Sequence, residues 1–219
     1  MEFFFLYIYC MYNLPYFKAN NPEEVISFIQ QHTFAIITGV NKNNEPVATQ
    51  LPFLIKERNG DLYLQAHIMR NTQHHKAFEN NANVLVVFTS PHCYISASWY
   101  TNQQQASTWN YMAVHASGIL QFLGDDALLN MLDELTTKFE NNEASPASYN
   151  QLPKEYVQSL SKAIVAFEVK VTALEHVFKL SQNKDAVTYQ NIIEQLNNGN
   201  TNEQFIAGEM KKRQEQLFT

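Results

Sequence analysis

An α+β fold built around an antiparallel β-barrel is the class this sequence predicts, and three observations carry it. Short runs rich in β-branched and aromatic residues recur along the chain. The early runs are joined by polar turns of hairpin length, too short for the crossover a parallel βαβ unit needs. Amphipathic helical stretches are interspersed and dominate the end, the pattern of an α+β protein. The chain has 219 residues, 45% of them hydrophobic and 16% charged, enough for one sizeable globular domain rather than a disordered segment. No repeat of solenoid length is visible.

The elements follow in order. Asn21-Pro22-Glu23-Glu24 starts a helix, with a capping residue, proline at the first position and acids in the first turn. Residues 33–40 (TFAIITGV) read as a strand, 41–44 as a turn, and 46–55 as the returning strand. Arg58-Asn59-Gly60-Asp61 carries an Asn-Gly hairpin signal before a third strand at 62–68. A short helix over 72–80 precedes strands at 84–89 and 93–97 and a long strand candidate at 110–123 that Gly118 interrupts. Leu128, Leu129, Leu132 and Leu135 give 125–139 a helical face. The polar stretch 141–153 is a connection, and a helix from about 154 leads to an alternating strand at 164–174. Residues 185–218 form a helical tail interrupted at 197–202.

Charge and cysteine usage bound the partners. The net charge of −6 opposes the phosphates of nucleic acids and membranes, so direct nucleic-acid binding is disfavoured. The densest basic run, Lys211-Lys212-Arg213, reads as a solvated helix end where cations offset the dipole. Cys10 and Cys93 form neither a CxxC motif nor a disulfide framework, and the expected compartment is a reducing cytoplasm. The opening MEFFFLYIYC is too short to span a bilayer and lacks the basic start of a signal peptide. Residues 1–10 read as a start-site extension, with the domain itself covering 11–219 and no membrane partner expected.

The chemistry concentrates in QAHIMRNTQHHKAF, residues 65–78, where a strand runs into a helix N-terminus. Such a junction presents free N–H groups and a positive dipole end. Gln73, His74, His75 and Lys76 fill the first turn, where Asp or Glu would be favoured, and His67 and Arg70 precede it. An anion, above all a phosphate held by Arg70, accounts for that choice. A surface helix tolerating a few misplaced charges accounts for it too, since each costs only about 0.3–1 kcal/mol. A metal is disfavoured because His74 and His75 are adjacent and no HExxH is present. Two aromatic clusters, SPHCYISASWY (90–100) and STWNYMAVH (107–115), hold both tryptophans. They suit a core, an interface or the wall of a flat-ring pocket.

Five motifs together resemble the PaiB family, described as FMN-binding negative transcriptional regulators. They are PVATQLPFL (46–54), AHIMRNTQ (66–73), SPHCYISASWY (90–100), TWNYMAVHASG (108–118) and FKLSQN (178–183), in family order across nearly the whole chain. The resemblance implies an FMN-binding split β-barrel of the pyridoxamine-phosphate-oxidase type, with FMN at a homodimer interface. It implies that Arg70, with Asn71, His67 and His74 beside it, binds the phosphate. Thr72 and Gln73 stand where the family more often has small residues and proline. It further implies that Thr49, Gln50 and Leu51 lie along the flavin ring, and that Trp99, Tyr100, Trp109 and Asn110 line the pocket from the partner subunit. Lys179 is a candidate charge toward the anionic ligand, with a structural loop as its alternative. That the ligand is FMN rather than haem or pyridoxal phosphate follows from the resemblance alone.

Function then divides. The family points to a negative transcriptional regulator acting directly or indirectly, although no helix-turn-helix or basic stripe is present. The alternative is an FMN-dependent oxidoreductase or flavin reductase using NAD(P)H, in which the cofactor supplies the redox chemistry. No side chain announces itself as a catalytic acid or base.

Overall fold

The structure, a computed structural model, describes residues 11–142 and 145–218. The expected start-site extension at 1–10 lies outside the described residues. Helix α1 (Pro22–Gln31) begins as its sequence dictates: Asn21 Oδ1 accepts the Glu24 amide at 2.9 Å, and Glu23 and Glu24 fill the first turn. Strands β1 (Phe34–Val40) and β2 (Pro46–Pro52) pair antiparallel, with Ile37 opposite Thr49.

The single strand expected over 46–55 is two strands. Pro52 ends β2, the Phe53 amide turns to the Thr33 carbonyl at 2.8 Å, and β3 (Leu54–Arg58) leaves β1 to pair with β4 (Asp61–Met69). Burial drives this corner. Phe53 is fully enclosed, edge-on to Phe88 and Phe167 at 6.0 and 6.2 Å between ring centres. The β3–β4 hairpin turns at Asn59 and Gly60, with φ of 54° and 82°, the geometry the Asn-Gly pair favours.

Next come α2 (Gln73–Asn80), β5 (Asn83–Thr89), β6 (Cys93–Ile95) and β7 (Thr108–Phe122). Helices α3 (Asp125–Glu140) and α4 (Lys154–Ser161) precede β8 (Ile164–Lys179), and α5 (Ala186–Asn197) and α6 (Thr201–Leu217) close the chain. Strand β8 continues beyond Leu174, its expected end, because Val177 and Phe178 are buried. Among the described residues the strands lie in the order β2-β1-β5-β7-β8-β4-β3, with β6 paired to β7. No helix among the described residues is long and apolar enough to cross a membrane.

The chain divides into two compact units. The second, Ile29–Phe88 with His115–Leu174, holds β1 to β5 and the Phe53–Phe88–Phe167 core. In it Leu128, Met131 and Leu135 of α3 pack on Leu54 and Ala166. The first unit combines the amino-terminal segment to Phe28, Thr89–Val114 and Glu175–Thr219. Its buried residues include Tyr189, Ile192 and Leu196 of α5 and Ile206, Ala207 and Met210 of α6. Tyr189 donates its hydroxyl to the Met210 carbonyl at 3.0 Å, and Asn200 and Glu203 form a capping box at the start of α6.

Gly118 does not break β7, contrary to the sequence expectation. It lets the strand lie against β8: a Cβ there would come within 2.5 Å of both the Lys170 carbonyl oxygen and Val169 Cγ1. Gly118→Ala is therefore expected to destabilise the protein by about 1–3 kcal/mol, because the obstacle includes backbone that cannot step aside alone. A urea midpoint unchanged from the parent would show that the two strands separate freely there.

Candidate functional site

The strand-to-helix junction of the second unit is tightly specified. On β4, Leu64, Ala66 and Ile68 are buried, which places Gln65, His67 and Met69 on the opposite face. His67 lies across from Ala166 of β8, and its Nδ1 is buried with no hydrogen-bond partner among the described residues. The Arg70 amide donates to the Ala163 carbonyl at 2.8 Å. Asn71 then takes a left-handed conformation, φ 63°, and its amide donates to His75 Nδ1 at 3.2 Å. Thr72 caps α2: its hydroxyl accepts the His75 amide at 3.3 Å and donates to the Met69 carbonyl at 3.0 Å. The Gln73 and His74 amides, in the first turn, have no acceptor among the described residues. The Arg70 guanidinium is 37% exposed, and its nearest ionic partner, Asp125 Oδ1 at 3.6 Å, is 88% exposed. A contact that loose leaves the guanidinium available to a better acceptor.

The electrostatic argument from the sequence changes in detail. Burial holds the His67 imidazole below its ordinary pKa, and burial together with the neighbouring His75 does the same to His74. Both shifts favour the neutral imidazole. His75 is 7% exposed, and its Nδ1 accepts the hydrogen bond from the Asn71 amide. The positive charge at this junction comes from Arg70, with Lys76 beyond it.

On β2, the edge strand beside β1, the side chains alternate. Thr49 and Leu51 share the face of buried Val47, while Gln50 lies exposed on the other. The three residues can therefore meet one ligand together only if some contacts are made by backbone. With Arg70, Asn71, His67 and His74 they belong to the second unit.

The other candidates fall in the first unit. Trp109 is 52% exposed and sits 5.8 Å from both His92 and Tyr94, ring centre to ring centre. Beside it a cavity of about 220 Å³ is lined by Thr89, Ser90, Tyr111 and Met112. Trp99 is half-buried, and its carbonyl accepts from Asn191 at 3.3 Å. Tyr100 is buried, with Lys184 Nζ 4.0 Å from its ring centre, and its hydroxyl has no hydrogen-bond partner among the described residues. Asn110 is fully buried; its Oδ1 accepts from Ser181 at 3.0 Å and its Nδ2 approaches Met210 sulfur at 3.5 Å. Its side chain is thus engaged inside the unit. Lys179 Nζ donates to the Thr108 hydroxyl and to the Trp109 carbonyl at 2.9 Å, and burial lowers its pKa. The segment after it is a self-bonded turn: Ser181 has φ 64°, and Gln182 bridges the Leu180 amide and the Phe178 carbonyl. These bonds tie Lys179 and the turn after it to neighbours in the same unit. Burial pushes the Cys93 thiol up to about 12, which leaves it without nucleophilic character at neutral pH.

Sequence reasoning missed the role of His75, reading it as a first-turn charge. The usable signal was Asn-Thr followed three residues later by a residue on the buried side of a short helix.

The family model described as "Putative FMN-binding domain" matches residues 11–173. The chain is also 36% identical over 188 residues to the protease synthase and sporulation protein PAI 2 of Bacillus subtilis, covering 86% of this chain and 90% of that one. The chain belongs to the PaiB family of FMN-binding domain proteins. Its cofactor is accordingly FMN. A FAD- and haem-binding protein of Mycobacterium smegmatis is similar in structure, with TM-score 0.53 and 18% identity over 74% of this chain and 72% of that one. A conserved hypothetical protein of Mycobacterium tuberculosis gives TM-score 0.55 and 9% identity over 77% and 90%. At such identities the likeness is one of fold, and the fold is the antiparallel split β-barrel with helices. In this PaiB-family chain the segment from Arg70 to His74 holds a loosely paired guanidinium and the first amides of α2, groups of the chemistry that binds anions.

Proposed function

We propose that this chain binds FMN by its phosphate at the Arg70–His74 turn and acts as a PaiB-type negative regulator of transcription. The observation that carries the binding mode is the loosely paired Arg70 guanidinium, followed three and four residues later by the Gln73 and His74 amides, which have no acceptor among the described residues. Bound FMN supplies electron-accepting and hydride-accepting chemistry; the chain's own residues bind and orient it. The net charge of −6 favours an indirect effect on transcription, through the state of the flavin rather than through operator contact.

The proposed assembly is a cytoplasmic homodimer. Its support is the exposed aromatic patch of the first unit, where Tyr94 and Trp109 are 49% and 52% exposed and stack edge-on. Light scattering after size exclusion tests it: a monomer at micromolar concentration removes that part of the reading.

The first experiment is an absorbance spectrum of the purified protein, repeated after adding FMN and desalting. Flavin bands near one per chain are expected; a colourless protein that retains no FMN overturns the assignment. A gel shift and an NAD(P)H titration of the loaded protein then separate the functional readings. Operator retention supports direct regulation, bleaching of the flavin by NAD(P)H supports the oxidoreductase, and the absence of both supports indirect regulation.

A further inference from the structure

We propose that His75 is a positioning residue for the flavin phosphate: by accepting the Asn71 amide it holds the left-handed turn that aims Arg70 and the first amides of α2 at one point. This inference rests on the phosphate reading above.

The geometry is local and closed. His75 is 7% exposed, with its ring edge-on to Phe122 at 5.1 Å and Nε2 3.7 Å from Glu79. Its Nδ1 accepts the Asn71 amide, while its own amide is held by Thr72. Between Arg70 and Thr72 the chain reverses at Asn71, in a conformation that a residue with a side chain adopts only at some cost. The bond to His75 offsets that cost. It is also the means by which the buried side of α2 dictates the backbone path one residue after Arg70. Asn71 itself is exposed, so without the acceptor its amide turns to water and the turn loses the bond that ties it to the buried side of α2. Charge-assisted bonds to phosphate depend on donor placement, so Arg70 and the amides of Gln73 and His74 lose alignment together.

A histidine that merely fills space makes a different forecast, since phenylalanine would then replace it without loss at the ligand. The test compares His75→Phe, which keeps an aromatic ring against Phe122 but has no acceptor, with His75→Asn, whose Oδ1 can take the place of Nδ1. Binding of FMN and of riboflavin, which lacks the phosphate, is followed by quenching of flavin fluorescence. His75→Phe is expected to bind FMN about tenfold more weakly, the loss of roughly one hydrogen bond's worth of alignment. Riboflavin affinity stays unchanged, and His75→Asn recovers most of the FMN affinity.

Wild-type FMN affinity in His75→Phe overturns the proposal. So does equal weakening of FMN and riboflavin, or a His75→Asn variant as weak as His75→Phe. Arg70→Ala is measured alongside. If it leaves FMN binding intact, the phosphate reading itself fails; if it weakens FMN while His75→Phe does not, only the role of His75 fails. Should His75→Phe lack a cooperative melt, His75→Gln replaces it, because its amide extends toward the Nε2 position and misses the Asn71 amide; the same outcomes decide.

Discussion

Replacing Arg70 with alanine is expected to weaken FMN binding by about 2 kcal/mol, close to thirtyfold, while riboflavin affinity stays as it was. The guanidinium is the principal full positive charge at the turn, because burial lowers the pKa of His67 and of His74 and so favours their neutral forms. Among the described residues its ion pair is the loose, solvent-exposed contact with Asp125, so little is lost from the fold when it is removed. Phosphate offers it two oxygens in fork geometry, which lysine cannot match; Arg70→Lys should recover only part of the loss. The difference between FMN and riboflavin should shrink as salt rises, since the site is partly exposed. FMN affinity within twofold of wild type in Arg70→Ala would remove the phosphate from this turn.

The second large effect is on stability. Arg213→Met is expected to cost about 3 kcal/mol and to lower the melting temperature by roughly 6–12 °C. Arg213 lies in α6 with its side chain only 7% exposed, bonded to Glu24 of α1 and to Glu209 Oε2 at 3.0 Å. The guanidinium also donates to the Glu209 carbonyl at 2.9 Å and lies 5.5 Å from the Phe178 ring centre. Removing it leaves the Glu209 carboxylate, 13% exposed, with Lys212 as its remaining cation. Adding Glu209→Gln to the variant should therefore restore part of the stability. Burial pushes the Glu209 carboxyl up, but hydrogen bonds from Lys212 and Arg213 outweigh it and hold the pKa below the ordinary 4.5. A lowered carboxylate pKa stabilises the fold above the unfolded value and ceases to do so as pH falls through the folded one. The contribution should be complete above about pH 4.5 and decline in stronger acid. A melting temperature unchanged in Arg213→Met would mean that water screens the cluster.

Arg213 also shows where a reading of the sequence stops. The basic run 211–213 was expected to be a solvated helix end, and for Lys211 and Lys212 it is exposed. Arg213 is the exception because Glu24, 189 residues earlier, is brought against it. The corner at Phe53 has a similar cause. Residues 46–55 alternate like one strand, and the break comes from two different partner strands and from the rings of Phe88 and Phe167.

By itself the sequence determined what local chemistry can determine. Asn21 and Thr72 cap helices, Asn59-Gly60 turns a hairpin, alternation marks the strands, and five motifs in order mark the PaiB family. These depend on neighbours within a few residues, where backbone sterics and hydrogen bonding leave few choices. Only the tertiary structure decided which polar side chains are enclosed. Asn110 is bonded to Ser181, Lys179 to the Trp109 carbonyl, His75 to the Asn71 amide, and Arg213 to Glu24. Whether a charge or an amide faces water or a partner depends on the packing of segments far apart in the chain, and the free energy of burying it is set there.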